Sequence, residues 1–194
     1  EYELSTYMEE MINAFRAYAD VKRISLTYES NFRYMNTWLD KDKMDSILKN
    51  LISNALKYTP EGGSVHIYTA ETEDHWSVEV KDTGIGIPSS EQKKLFKIHF
   101  RGSNAINSKV TGSGIGLLLV WKLVHLHKGK INFTSTEGKG SCIKVTFPKG
   151  EKPYRKAIHS PKPGSEKVAY AESGVPKNVT PNIAYDATKQ KQQQ

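Results

Sequence analysis

Residues 82–86 read DTGIG and residues 112–117 read GSGIGL, two glycine-rich runs in one chain of 194 residues. Neither is a nucleotide fingerprint of the common kinds. DTGIGIP follows the alternating run WSVEVK, but Ile87-Pro88 halts the chain where a dinucleotide-binding turn would open a helix, and GxxxxGK[ST] occurs nowhere. Asp82 at a strand end reads either as a turn former or as a buried carboxylate in need of donors, of which the amino group of an adenine is one. Gly84 and Gly86 would let the backbone pass close to such a ring. GSGIGL runs straight into the helical pattern IGLLLVWKLVHLH, so its N–H groups and the helix dipole can face an anion. One run suits a base, the other phosphates, and the stretch between them reads as a lid.

Upstream, Asp42 to Tyr58 is expected to be one long helix, ended by Thr59-Pro60. Ile47, Leu48, Leu51, Ile52, Ala55 and Leu56 form its apolar stripe. Asn50, Asn54, Lys57 and Tyr58 share another face. Asparagine is a poor helix former, so two stacked in mid-helix need a reason. The face is either simply solvated or a site for a magnesium-bound polyphosphate, with amide oxygen for the hard cation, ammonium for phosphate and the ring for a base.

The remaining elements surround these motifs. STYMEEMINAFRAYADVKR opens with Thr6 and Glu9 in capping-box spacing and sets Met8, Met11, Ile12, Phe15 and Ala19 on one face. Ile24 to Glu29 and Thr37 to Leu39 read as strands, as do Ser64 to Ala70 and Trp76 to Lys81, the last two forming a hairpin. QKKLFK is a short helical piece followed by an aperiodic, mobile loop to Thr111. A helix over Ile115 to His127 and strands over Lys130 to Ser135 and Ser141 to Phe147 complete the pattern. The order predicts an α/β two-layer sandwich, a mixed sheet with helices on one face.

Composition narrows the class. Residues 1–149 hold 20 basic and 17 acidic side chains, while residues 150–194 hold 8 and 4, so most of the +7 excess lies in the tail. The body has no basic stripe interleaved with aromatics, and nucleic-acid binding is not expected. No apolar run approaches the roughly 20 residues needed to cross a bilayer, and the first residues are acidic; the segment is expected to be cytosolic, without membrane contact of its own. Cys142 is the single cysteine, which excludes an internal disulfide and a thiolate cluster. Residues 1–149 are expected to fold as one domain, and 150–194, rich in Pro, Lys, Ser and Gln, to be a disordered linker or tail.

The order of asparagine helix, DxGxG, Phe-containing segment and GxGxG, from about Leu4 to Pro148, strongly resembles the ATP-binding catalytic domain of sensor histidine kinases. This family shares its Bergerat-type fold with DNA gyrase, mismatch-repair ATPases and heat-shock chaperones. The resemblance implies ATP and Mg2+ as ligands. Asn54 would be the magnesium ligand with Asn50 nearby, Lys57 would contact phosphate and Tyr58 would lie over adenine. Asp82 would accept from the adenine amino group, with Gly84, Gly86 and Ile87 lining the base pocket. Gly112, Ser113, Gly114, Ile115, Gly116 and Leu117 would shape the phosphate end, and Arg101 would approach the terminal phosphate.

Departures from the family pattern occur at two places. His99 stands where a second lid aromatic is expected after Phe96, with Phe100 as a substitute, and Lys128 stands where relatives carry glycine. ATPase branches place a water-activating glutamate one turn before the magnesium asparagine; here that residue is Asn50, an amide without useful basicity, so transfer rather than rapid hydrolysis is implied. The acceptor would be a histidine on a separate dimerisation segment, since His66, His75, His99, His125, His127 and His159 all lack HE-x-x-x-P surroundings. The implied partners are that segment of the same parent, a homodimeric, membrane-bound bacterial sensor, and a response-regulator receiver domain. The fragment itself would be monomeric and inactive in autophosphorylation on its own. A nucleotide-binding module without transfer, or a serine-directed kinase of the same superfamily, are the alternatives.

Overall fold

The computed structural model describes residues 1–96, 102–103 and 114–151. It opens with a two-residue strand, β1 (Tyr2–Glu3), and a helix, α1 (Leu4–Val21). The expected Thr6–Glu9 capping box is not used. Glu3 is the N-cap instead, its carboxylate accepting from the N–H groups of Ser5 at 2.9 Å and Thr6 at 2.7 Å. Pairing of β1 with β3 (Asn36–Thr37) and the Leu4 N–H bond to the Met35 carbonyl at 2.8 Å hold Glu3 extended at the helix entrance. From there its long side chain reaches the orphan donors of the first turn. Burial works against ionisation of Glu3, but the bonds from Thr6 and Ser5 outweigh it and hold the carboxyl at about 2.

Strand β2 (Ser25–Ser30) leads through β3 to α2 (Lys41–Tyr58), which Asp40 caps by accepting from the Lys43 N–H at 3.2 Å. Helix α2 buries Met44, Ile47, Leu48, Leu51, Ile52, Ala55 and Leu56, the stripe read from the sequence. It stops where Thr59 turns extended ahead of Pro60. Strands β4 (Ser64–Glu71) and β5 (His75–Asp82) form the hairpin, and a 3-10 turn follows at Gln92–Lys94 where a short helical piece was expected. Further along the described residues come α3 (Gly116–Leu126), β6 (Lys130–Thr136) and β7 (Gly140–Pro148). The strand expected at 37–39 is displaced to 36–37 because it pairs with β1, an element with no sequence signal of its own.

The main sheet has the order β2-β4-β5-β7-β6, with β2 parallel to β4 and the other neighbours antiparallel. Its registers put Ile67 opposite Val80 and Val80 opposite Ile143, so alternate residues of successive strands share one face. That face packs with the apolar sides of α1, α2 and α3 in one continuous core. The opposite face carries Thr27, His66, Glu79, Lys81 and Lys144, the polar half of the alternation. The two-layer sandwich with helices on one face is thus the fold observed.

Candidate functional site

A cavity of about 310 Å³ lies between α2, the end of β5 and the start of α3. Helix periodicity supplies its first wall: Asn50, Asn54, Lys57 and Tyr58 all line it, as the shared face of α2 requires. The Asn50 amide nitrogen donates to the Ser46 carbonyl at 2.7 Å, which fixes the side chain and leaves Oδ1 turned toward Gly116. Asn54 makes no hydrogen bond among the described residues. Lys57 Nζ sits 5.2 Å from the centre of the Tyr58 ring. The carbonyls that end this helix are held from outside by Lys22, whose ammonium donates to Leu56 O at 2.6 Å and to Lys57 O and Thr59 O at 3.3 Å.

The floor is Asp82, last residue of β5. Its Oδ1 accepts from the N–H groups of Gly84 at 2.8 Å and Ser141 at 3.2 Å, and Oδ2 accepts no hydrogen bond among the described residues. Burial raises its pKa above the ordinary carboxylate value of 3.8, against the pull of those N–H groups. Around it Leu51, Ala55, Val80, Ile85, Ile87, Phe133 and Ile143 supply an apolar lining. The result is a slot suited to a flat ring, with one carboxylate oxygen available to a donor on its edge.

The loop after Asp82 is pinned rather than free. Ile85 N–H donates to the Tyr58 carbonyl at 3.2 Å, and Gly138 N–H donates to the Ile85 carbonyl at 2.8 Å. Gly86 has φ of +61° and its Cα faces the Thr136 carbonyl so closely that a Cβ would lie 2.0 Å from that oxygen. No other residue type fits there.

Gly114, Gly116 and Leu117 line the other end. Among the described residues, helix α3 begins without a side-chain cap bond from Ile115, and a helix start of this kind can face an anion. Gly84 and Ile115, also expected at the site, do not border the cavity among the described residues. Gly84 packs behind the slot, with its N–H committed to Asp82, and Ile115 is 43% exposed at the helix cap. Arg101, Gly112 and Ser113, together with His99 and Phe100, lie outside the described residues. Residues missed by sequence reasoning include Ser141, Gln92 and Ser135, whose bonds position the floor and the loop. They sit in strands or turns where polar residues are routine and give no local signal.

The donor set fits magnesium only with help. Amide oxygens of Asn54 and Asn50 are hard ligands, but among the described residues no cluster of three or more His, Cys, Asp or Glu exists to hold an ion by itself. A cation here would need oxygens from an anionic ligand, as Mg2+ with polyphosphate does. Among the described residues, no helix is long and apolar enough to cross a membrane.

The family model described as "Histidine kinase-, DNA gyrase B-, and HSP90-like ATPase" matches residues 39–151. The chain is 44% identical over 112 residues to the sensor histidine kinase WalK of Bacillus subtilis, covering 57% of this chain and 18% of WalK. It is 36% identical over 149 residues to the circadian input-output histidine kinase CikA of Synechococcus elongatus, covering 76% of this chain and 20% of CikA. The chain therefore spans a fifth or less of the length of these relatives. In fold it is similar to the nucleotide-free catalytic domain of the histidine kinase ThkA, with a TM-score of 0.68 at 24% identity over 78% of this chain and 96% of that one. Full-length ShkA, solved with AMPPNP, gives a TM-score of 0.66 at 20% identity over 78% of this chain and 32% of that one.

Proposed function

We propose, for a chain that belongs to the histidine kinase-, DNA gyrase B- and HSP90-like ATPase family, that residues 1–149 bind ATP and serve as the catalytic domain of a sensor histidine kinase. The observation that carries this reading is Asp82, with Oδ1 occupied by two backbone donors and Oδ2 left for the adenine amino group. The apolar slot takes the ring, Tyr58 and Ile87 bordering it. Lys57 and the open N-terminus of α3 neutralise phosphate charge, joined by Arg101 and by the glycines at 112 and 114. Asn54, with Asn50, would hold Mg2+ together with phosphate oxygens, and the ion would supply charge neutralisation there.

The chemistry is transfer rather than hydrolysis. Asn50 occupies the place of a general base and cannot accept a proton at neutral pH. The acceptor is a histidine on another segment. There the bond forms between an imidazole nitrogen and the γ-phosphorus while the bond to the β-γ bridging oxygen breaks, leaving ADP. The segment is the dimerisation domain of the same parent, a membrane-bound bacterial sensor, and the phosphoryl group then passes to a response-regulator aspartate. Residues 150–194 act as a linker or tail, and the fragment alone is a monomer that binds ATP without phosphorylating itself.

Labelled ATP supplied with a separately expressed dimerisation segment of the parent tests this. Acid-labile label on that segment, absent when it is omitted, is the expected result. Acid-stable label would instead identify a serine-directed kinase, and binding without transfer a nucleotide-binding module.

A further inference from the structure

The loop that follows Asp82 has no regular secondary structure, yet Ile87 from this loop and Leu95, which caps the 3-10 turn, both line the cavity. Leu95 is only 5% exposed. A single side chain connects them. The Gln92 amide nitrogen donates to the Ile87 carbonyl at 3.0 Å and to the Ser135 carbonyl of β6 at 2.9 Å, so both of its N–H groups are used. From the other side, Ile87 N–H donates to Ser135 Oγ at 2.9 Å. The Ile87 residue is thus held at both ends of its backbone, its N–H by Ser135 and its carbonyl by Gln92, just before Pro88, which has no N–H to contribute.

We propose that Gln92 is a positioning residue for base recognition: its amide fastens the loop carrying Ile87 to β6 and seats Leu95, three residues further along the same turn, against the slot. The inference rests on the nucleotide-binding reading above and extends it to a residue that does not itself touch the nucleotide. It assigns Gln92 to the base end alone. Asn54, Lys57 and the α3 terminus stand on other elements and do not depend on it.

The test measures binding of ATP and of adenosine to the full chain carrying Gln92→Ala, Gln92→Glu or Ser135→Ala. Gln92→Glu keeps the shape but turns two donors into acceptors facing two carbonyl oxygens. Ser135→Ala removes the acceptor for the Ile87 N–H from the opposite side. The Gln92 variants should lose about tenfold in affinity for ATP and adenosine alike, the consequence of two lost hydrogen bonds. Their magnesium dependence should be unchanged, and Ser135→Ala should show the same joint loss. Unchanged affinity for both ligands, or a loss for ATP that adenosine does not share, overturns the assignment. Absence of ATP binding in the unmodified chain would instead overturn the nucleotide reading beneath it.

Discussion

Gly116 stands so close to Asn50 that a Cβ on it would lie 2.5 Å from Asn50 Oδ1. The first turn of α3 therefore rests directly on the asparagine face of α2, and the third glycine of the second run is required by that contact. Asn50 cannot simply swing aside, because its amide nitrogen is bonded to the Ser46 carbonyl at 2.7 Å. Gly116→Ala should cost about 1–3 kcal/mol of stability through overpacking. It should also weaken ATP binding further than Leu117→Ala does. Denaturant melts and equilibrium binding on both variants measure this; wild-type affinity in Gly116→Ala would show that the contact does not shape the site.

Lys128 has φ of +57°, in the left-handed region that disfavours side chains. It follows the cap of α3, where Gly129 N–H donates to the Val124 carbonyl at 2.9 Å and Lys128 N–H to the His125 carbonyl at 3.0 Å. This is the terminus at which glycine is usual. Lys128→Gly should stabilise the domain by about 1 kcal/mol, raising the thermal midpoint by roughly 2–4 °C without changing nucleotide affinity. A lower midpoint would mean that the lysine side chain contributes more than its backbone costs.

Glu3 and Asp82 make opposite contributions as pH changes. Glu3, held at about 2 against its ordinary 4.5, stabilises the fold above 4.5, and that stability is lost as pH falls toward 2. Glu3→Ala should lower stability by about 1 kcal/mol at neutral pH and flatten this acid limb. Asp82, with its pKa raised by burial, is protonated more readily in the folded chain than in the unfolded one. Its linkage favours the fold at low pH and is lost as pH rises through the folded pKa. In the proposed site the carboxylate accepts from the base, so affinity should fall on acidification at a pH above 3.8, while Asp82 itself works toward keeping the fold. Parallel titrations of stability and affinity in the parent and in Glu3→Ala separate the two effects.

The parts of the fold legible in the sequence were those with a period. The stripe of Ile47, Leu51 and Leu56 and the separate face of Asn50, Asn54 and Lys57 both follow from 3.6 residues per turn, and the hairpin of β4 and β5 from alternation. Resemblance then carried Asp82 from a candidate turn former to a candidate base acceptor. What escaped was set by partners distant in the chain. Ser141 reaches Asp82 across 59 positions, and Gln92 reaches Ser135 across 43. Glu3 caps α1 only because β1 pairs with β3, and two-residue strands have no period to read. Gly84 supports the carboxylate through its N–H, a bond to Asp82 that its motif alone does not announce.

The assignment of Asp82 as the base acceptor is tested most directly by calorimetry with ATP and Mg2+ on the parent, Asp82→Asn and Asn54→Ala. In Asp82→Asn the backbone donors of Gly84 and Ser141 would keep the amide oxygen at the Oδ1 position, setting an NH2 group against the adenine amino group. Affinity should fall about 100-fold with no loss of thermal stability, since a buried charge has been removed. Asn54→Ala should lose only the magnesium-dependent part of binding. Parent-like affinity in Asp82→Asn, with the magnesium effect intact in Asn54→Ala, would contradict the account of the site.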